Sequence, residues 1–244
     1  MKKIAEYLLS PVMAFVLILL LLIFHPIQVI CRMIGGYPLR KKSVDVLCFF
    51  LTYSQVIMGT RITFKGFDLL PEGRPFIIIS NHQSFMDIPP IVWGFRKHHP
   101  KFVAKKELGK GIPSISYNLN HGGSALIDRD KGRQSIVEIG KLGKHIEKNN
   151  YCASIFPEGT RSKSGKIRKF QHAGVAMLMK SAPNALIVPF VVDGNSEFMK
   201  YGLFPFSLGV RLNYTVLPPI EPQGKDAEEL TTLAEKQIRQ VLGQ

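Results

Sequence analysis

Residues 76–87 read FIIISNHQSFMD, and in them an apolar run ends abruptly in polar side chains. The run FIIIS is short and rich in isoleucine, which is typical of a strand buried on both faces of a sheet. Asn81, His82, Ser84 and Asp87 follow directly after it. In open α/β sheets this carboxyl edge is where ligands bind, because the loops there lie outside the packed layers. The stretch therefore predicts an α/β fold and a site at this edge.

The rest of the chain after residue 60 alternates short β-branched or aromatic runs with longer segments of helical period. This alternation predicts a mixed, largely parallel sheet covered by helices. The last helix has an apolar face of Leu230, Leu233, Ala234, Ile238 and Val241, which marks it as a packing element. The predicted strands lie near residues 61–66, 76–80, 101–105, 124–128, 152–156, 187–192 and 209–217.

Residues 1–60 are predicted to form a helical membrane anchor, and residues 61–244 a single α/β domain. No charged residue occurs from Tyr7 to Phe24, a stretch that reaches about 27 Å as a helix, close to the roughly 30 Å of a hydrocarbon core. A cleaved signal peptide is the rival interpretation, but no small-x-small cleavage site follows. A span and a re-entrant segment both fit this length.

Basic residues flank both ends of this segment, so the positive-inside rule does not orient a single span. A hairpin that returns through residues 44–58 would put both basic flanks on the cytoplasmic side. We therefore expect a monotopic anchor, with the catalytic domain on the cytoplasmic face of the membrane. Cys31, Cys48 and Cys152 are scattered and odd in number, which argues against a disulfide framework or a zinc site and fits a reducing compartment.

The formal net charge of +14 predicts attraction to polyanions. Nucleic acid, an anionic bilayer and phosphorylated small molecules all fit the charge alone. The sequence has no zinc-finger spacing and no RNA-recognition signature. An apolar anchor is also unusual in a nucleic-acid-binding protein. We expect an anionic membrane as a partner and no nucleic acid.

His82 and Asp87 are five residues apart, so on one continuous helix their side chains would point about 140° apart. If His82 lies in a loop and Ser84 caps a helix that carries Asp87 in its first turn, the carboxylate can fold back onto the imidazole. Such a pair makes a general base, because the carboxylate fixes the tautomer and stabilises the imidazolium. The alternative interpretation is a capping box, which Ser84 and Asp87 also match.

A second polar cluster, FPEGTRS at residues 156–162, follows the predicted strand 152–156. Gly159 allows the backbone to approach a ligand closely, and Arg161 offers a planar fork suited to phosphate. The loop therefore predicts an anion-binding turn. The alternative is a strand-to-helix turn whose arginine makes a surface ion pair. Residues 159–167 do not form a nucleotide-binding P-loop, because the spacing is one residue too long and Ile167 replaces the required Ser or Thr.

Two further strands deliver charge to the same edge. Lys105, at the end of the strand 101–105, is predicted to neutralise an oxyanion formed during the reaction, and Arg129, after the strand 124–128, to contact a phosphate.

Taken together, these runs resemble the glycerolipid acyltransferase family, and within it the 1-acyl-sn-glycerol-3-phosphate acyltransferases. Asn81, His82 and Asp87 match the family's N-H-x(4)-D motif. Residues 156–162 match F-P-E-G-T-R-S letter for letter, residues 127–129 resemble the block that ends in Asp-Arg, and residues 188–190 resemble the V-P-[VF] block. The resemblance covers roughly residues 60–220, and the first and third motifs in this order are a specific pair.

The resemblance implies that His82 is the base, that Asp87 orients it, and that Glu158, Gly159, Thr160 and Arg161 bind the acceptor, with Arg129 as a further phosphate contact. It implies direct acyl transfer from acyl-CoA or acyl carrier protein to lysophosphatidic acid, giving phosphatidic acid, with no metal and no cofactor. An acyltransferase for glycerol-3-phosphate or another lysophospholipid would share both motifs. A basic module that binds anionic membrane or nucleic acid is the alternative from a different class, and it would not need His82 and Asp87.

Overall fold

The computed structural model describes residues 2–70, 72–128 and 130–244. The strands are β1 (Arg61–Lys65), β2 (Phe76–Ser80), β3 (Lys101–Lys105), β4 (Ala125–Ile127), β5 (Cys152–Ile155), β6 (Leu186–Asp193) and β7 (Arg211–Val216). The α-helices are α1 (Lys2–Tyr53), α2 (Ile88–Gly94), α3 (Ile115–His121), α4 (Gly132–Asn149), α5 (Ala173–Ser181), α6 (Asn195–Phe198) and α7 (Ala227–Leu242).

The strands form one seven-stranded sheet in the order β1-β7-β6-β2-β5-β3-β4. β6 and β7 pair antiparallel, and the other neighbours pair parallel. The predicted mixed, largely parallel sheet is confirmed. β2 and β3 occupy the predicted residues, while β7 begins at Arg211 because Gly209 lies in a turn with φ of 72°.

β2 lies at the centre of the sheet, and its side chains explain the two layers that cover it. Phe76 and Ile78 point into one hydrophobic core, shared with α1 and α2. Ile77 and Ile79 point into a second core, shared with α4, α5 and α7. Side chains alternate between faces along a strand, so a run with no polar residue is what a strand covered on both faces requires.

Helix α1 is a hairpin. Gly35 and Gly36 leave helical geometry, and Gly36 has φ of 60° and ψ of −147°, a conformation that glycine adopts readily because it has no Cβ. The first arm (residues 2–34) and the second arm (residues 37–53) pack on each other through Phe24, Leu47 and Leu51. By length and composition alone, the helix is apolar enough to cross a membrane. The predicted return through residues 44–58 thus begins earlier, at the break near residue 36.

The first arm is fixed to the sheet domain near both ends. Near its start, Ser10 Oγ accepts a hydrogen bond from Phe206 N at 2.8 Å. Near residue 25, Ser114 Oγ donates to the carbonyl of Leu21 at 2.7 Å, and Ser114 N donates to His25 Nδ1 at 3.1 Å. The arm therefore lies along the domain. The division into residues 1–60 and 61–244 stays a prediction.

The start of β3 is tied to the hairpin break by a buried lysine. Lys101 Nζ donates to the hydroxyl of Tyr37 at 2.7 Å, and the same hydroxyl lies 2.8 Å from His99 Nδ1. Lys101 also lies over the rings of Tyr37 and Tyr151. Burial lowers the pKa of Lys101 to about 7 and that of His99 to about 4, because desolvation disfavours the charged forms.

The depressed pKa of Lys101 makes stability depend on pH. Between pH 7 and the pKa of the unfolded side chain, the unfolded chain binds more protons, so the free energy of unfolding rises with pH. Relative to Lys101→Met, the wild type should gain up to about 1.4 kcal/mol per pH unit in this window. Denaturant unfolding in detergent at several pH values measures the slope. The exposed Lys144→Met should keep the wild-type slope, and an unchanged slope in Lys101→Met would contradict the assignment.

Candidate active site

The predicted site residues lie at a switch point of the sheet. β2 and β5 are parallel neighbours. The chain leaves β2 for α2 on one face and leaves β5 for α5 on the other face. Loops that diverge in this way leave a crevice at the carboxyl ends of the strands, where ligands bind in open α/β sheets. Residues 81–84 and 156–162 are the loops at this crevice.

The chain turns between His82 and Asp87, and their side chains are in contact. His82 Nδ1 lies 2.7 Å from Asp87 Oδ2. Ser84 is the N-cap of a short 3₁₀ turn, Phe85–Asp87, that leads into α2, and its hydroxyl accepts from Met86 N at 3.0 Å. Asp87 Oδ2 also accepts from Ser84 N at 3.0 Å and completes the capping box. The carboxylate therefore contacts the helix start and the histidine together, and its role in a general base stays a prediction.

Asp87 is fully buried, with 0% of its side chain exposed, and it is compensated entirely by donors. Oδ2 accepts from Gln83 N at 2.7 Å, and Oδ1 accepts from Asn195 Nδ2 at 2.7 Å. Asn195 is held in turn by the hydroxyl of Tyr214, which donates to Asn195 Oδ1 at 3.1 Å. A buried carboxylate needs such partners because desolvation penalises its charge. The network holds Asp87 in one orientation toward His82.

The sequence prediction missed Asn195 and Tyr214. Asn195 comes just after β6, at the same carboxyl edge as the other site residues, so the rule that selected His82 would also have selected it. Tyr214 lies within β7 and is buried, and an aromatic residue in a strand usually belongs to the core. No sequence signal marks its hydroxyl.

The imidazole of His82 is held on its face as well as on its edge. Its ring stacks on Phe156, with 4.0 Å between ring centroids and an interplanar angle of 18°. A carboxylate only accepts hydrogen bonds, so Nδ1 donates to Asp87, and in the neutral ring Nε2 carries the lone pair. The side chain is 16% exposed. A base with one free nitrogen at an open crevice can take a proton from a bound hydroxyl.

Glu158 joins the two loops. Its Oε1 accepts from His82 N at 2.7 Å, and its Oε2 accepts from Arg168 N at 2.9 Å. Ser162 N donates to the carbonyl of His82 at 2.7 Å. Burial raises the pKa of Glu158, and the two backbone donors offset part of this effect. The carboxylate thus fixes the distance between the loops, and its predicted contact with an acceptor stays a prediction.

The remaining residues of the second loop open onto a groove. Gly159 has φ of 68°, and a Cβ there would meet no atom within 4 Å, which leaves its backbone accessible to a ligand. The groove has a volume of about 570 Å³. Its lining combines hydroxyl and cationic side chains and consists of Thr160, Arg161, Ser162, Lys163, Ser164, Lys166, Ile167 and Arg168. A groove with this lining can bind a phosphate.

The two other predicted cations are placed differently. Lys105 ends β3 at the same edge and is exposed, but β3 lies two strands from β2, at about 4.8 Å per strand. Its role at an oxyanion stays a prediction. Arg129 lies outside the described residues. Within residues 2–70, 72–128 and 130–244, no group of three or more His, Cys, Asp or Glu side chains is arranged to hold a metal ion.

Comparison with known proteins gives concordant matches. A family model described as "Acyltransferase" matches residues 61–193. The chain is 28% identical to the 1-acyl-sn-glycerol-3-phosphate acyltransferase of Saccharomyces cerevisiae, over 86% of this chain and 67% of that protein. It is 23% identical to the alpha form from Ovis aries, over 80% of this chain and 66% of that protein.

Among solved structures, the chain matches the crystal structure of the 1-acyl-sn-glycerophosphate (LPA) acyltransferase from Thermotoga maritima. The TM-score is 0.81 at 23% identity, with 100% of this chain and 97% of that chain covered. At this identity the match establishes a shared fold, including the long N-terminal helix. The chain spans about two thirds of the length of the first curated relatives.

Proposed function

The chain belongs to the Acyltransferase family, and from this premise we propose that it acylates the sn-2 hydroxyl of 1-acyl-sn-glycerol-3-phosphate, giving phosphatidic acid. The acyl donor is a thioester, acyl-CoA or acyl carrier protein, and no cofactor takes part. One observation carries the proposal: a histidine paired with a buried aspartate at 2.7 Å lies beside a groove lined by arginine, lysine and hydroxyl side chains. The activity of the relatives named above supports this acceptor.

The geometry of the pair supports direct transfer. His82 Nε2 takes the proton of the acceptor hydroxyl as the oxygen attacks the thioester carbonyl. The C–O bond forms, the C–S bond breaks, and the imidazolium returns the proton to the departing thiolate. Asp87 stabilises the imidazolium and keeps Nδ1 as the donor, so Nε2 always faces the crevice. No nucleophile from the protein is required.

The basic groove supports a phosphate-bearing acceptor. Arg161 has a planar, bidentate donor set, and the backbone of Gly159 is open to a ligand. A phosphate in this groove would lie beside the loop that Glu158 fixes to His82. Such an arrangement holds the acceptor hydroxyl near His82. Holding two reacting groups together speeds their reaction, because a bimolecular step becomes effectively intramolecular.

Arg161→Ala tests the phosphate contact. We expect the KM for 1-acyl-sn-glycerol-3-phosphate to rise by roughly 10- to 100-fold, because a charge-assisted hydrogen bond contributes about 1.5–3 kcal/mol. Steady-state kinetics with varied acceptor measures this. The control is Lys144→Ala, an exposed cation of α4 outside the groove, which should leave KM unchanged. An equal loss with 1-acylglycerol, which lacks the phosphate, would contradict the role of Arg161.

The hairpin supports membrane association of a monotopic kind. The first arm contacts the domain at Ser10 and again at Leu21 and His25, so it lies along the domain. Its other side is a continuous apolar surface that suits the acyl region of a bilayer. The exposed apolar residues of this arm are Ile4, Tyr7, Leu8, Val12, Phe15, Ile18, Leu19, Leu22, Ile23, Ile30, Met33 and Ile34. We assign the domain to the cytoplasmic face, on the basis of the basic flanks.

An acceptor panel tests the proposed substrate. Purified protein in mixed micelles is given glycerol-3-phosphate, 1-acyl-sn-glycerol-3-phosphate and a lysophospholipid with a larger headgroup, each with both thioester donors. The highest kcat/KM should be for 1-acyl-sn-glycerol-3-phosphate. A higher kcat/KM for glycerol-3-phosphate would contradict the proposed acceptor. It would instead assign the chain to the alternative function, acylation of glycerol-3-phosphate.

A further inference from the structure

The loop of residues 199–204 follows α6 at the carboxyl edge of the sheet and has a firm base. Phe198 and Phe206 stack across this base, with 5.2 Å between ring centroids and an angle of 13°. Both rings are buried, and Ser207 N donates to the carbonyl of Phe198 at 2.9 Å. Within the loop, Gly202 N donates to the carbonyl of Met199 at 2.9 Å. The loop is therefore an ordered projection, held at both of its ends.

The tip of this loop is apolar and faces away from the protein. Leu203 is 74% exposed, and Tyr201 and Phe204 are each 48% exposed. Single exposed apolar residues are common on soluble proteins. Three within four positions on one ordered turn form a patch, and such patches mark interaction sites.

The tip is continuous with the apolar surface of the first arm. The rings of Phe204 and Tyr7 meet edge to face, with 5.4 Å between centroids. Behind them, Leu208 N donates to Glu6 Oε1 at 3.1 Å and Phe206 N donates to Ser10 Oγ at 2.8 Å. The loop and the arm thus form one rigid corner, and they present their exposed apolar side chains next to each other.

We propose that the 199–204 loop is a second bilayer contact, which inserts Leu203 and its aromatic neighbours beside the first arm. This inference rests on the membrane association proposed above. Tyrosine and phenylalanine at the tip suit the boundary between headgroups and acyl chains. Lys200 on the loop and Lys2 and Lys3 on the arm supply cations for anionic headgroups. An anionic bilayer therefore complements this corner in both polarity and charge.

The contact of the 199–204 loop would hold the crevice of the candidate site next to the membrane surface. The helix that leads into the loop begins with Asn195, which bonds to Asp87. The first arm alone would leave rotation about its long axis open. A second contact at one end of the arm fixes that rotation. The crevice is then held at a constant distance from the bilayer surface, where a lipid acceptor can enter it.

Fluorescence quenching by brominated acyl chains tests the inference. Trp93 is the single tryptophan of the chain, so W93F provides a dark background for L203W, F15W and V137W. Phe15 is 64% exposed on the arm, and Val137 is 51% exposed on α4. In vesicles of phosphatidylglycerol and phosphatidylcholine, quenching should occur for L203W and F15W and should be absent for V137W.

The other outcomes separate this inference from the proposed function. Quenching for F15W but not for L203W would overturn the loop contact and leave membrane association intact. Quenching for neither would overturn both. A blue shift of L203W without lipid that grows with protein concentration would assign the tip to a contact between copies of the chain, which also overturns it.

Vesicle partitioning gives a second readout. L203E should weaken partitioning by about tenfold or more, because it replaces an apolar side chain that inserts into the bilayer by a charge. V137E is the matched control and should leave partitioning unchanged. Leu203 makes few contacts that stabilise the fold, so the melting temperature of L203E in solution should equal that of the wild type. Unchanged partitioning of L203E would contradict the proposal.

Discussion

His82→Ala should lower kcat for acyl transfer by about 10² to 10⁴, the usual contribution of a general base. The structure gives the reason: Asp87 holds Nδ1 at 2.7 Å, Phe156 covers one ring face, and Nε2 is left for the substrate. Alanine removes the proton acceptor and leaves the groove of residues 160–168 in place. The KM for the acceptor should therefore change by less than about threefold. Thiol release measured over a range of acceptor concentrations gives both values.

His172→Ala is the matched control for this result. His172 is exposed at the start of α5, and its loss should leave kcat within about twofold. The melting temperature of His82→Ala should fall only slightly, since Asp87 keeps its bonds from Gln83, Ser84 and Asn195. A kcat for His82→Ala near that of the wild type would remove His82 from the mechanism.

Asp87→Asn should damage both activity and stability, although the side chain keeps its size. One of its two oxygens becomes an NH₂ group, which faces donors on either side, from Gln83, Ser84 and His82 or from Asn195. Buried donors without acceptors destabilise a protein by about 1–3 kcal/mol each, so the loss in unfolding free energy should be several kcal/mol. The fall in kcat should be at least about 10²-fold, because the tautomer of His82 is no longer fixed.

Asp226→Asn is the control for Asp87→Asn. Asp226 caps α7, accepting from Glu229 N at 2.9 Å, and asparagine caps helices about equally well. Its unfolding free energy and kcat should match those of the wild type. For Asp87→Asn, ¹⁵N NMR of the His82 ring should show a change in the protonated nitrogen. Loss of stability with an unchanged ring tautomer and unchanged kcat would limit Asp87 to the capping box.

The parts of the fold that follow local rules were predictable from the sequence. The run FIIIS is typical of a strand covered on both sides, which the structure confirms, and its carboxyl end predicted where the candidate site lies. The pairing of His82 and Asp87 was predicted conditionally, because a helix start at Ser84 allows the carboxylate to fold back toward the loop, and the structure has this helix start. The second loop also followed from the residue pattern, because polar side chains come directly after the strand 152–156, and the family motifs supported it.

The contacts between distant residues were not predictable in this way. The resemblance places Glu158 at the acceptor, whereas in the structure its two oxygens accept from the backbone of His82 and Arg168. Asn195 contacts Asp87 only because β6 lies beside β2 in the sheet. No local sequence pattern predicts the order of strands in a sheet. The apolar stretch 7–24 has the length of a membrane span. Only its polar contacts with the sheet domain show that it lies along the surface of that domain.

The most direct test of acyl transfer is the stoichiometry of thiol and product. Purified protein is incubated with a labelled acyl thioester, with and without 1-acyl-sn-glycerol-3-phosphate, and thiol and lipids are quantified together. We predict one phosphatidic acid, with the label at the sn-2 position, for each thiol released, and negligible thiol release without acceptor. Thiol release that proceeds equally without acceptor, or label found elsewhere than on this hydroxyl, would contradict direct transfer to 1-acyl-sn-glycerol-3-phosphate.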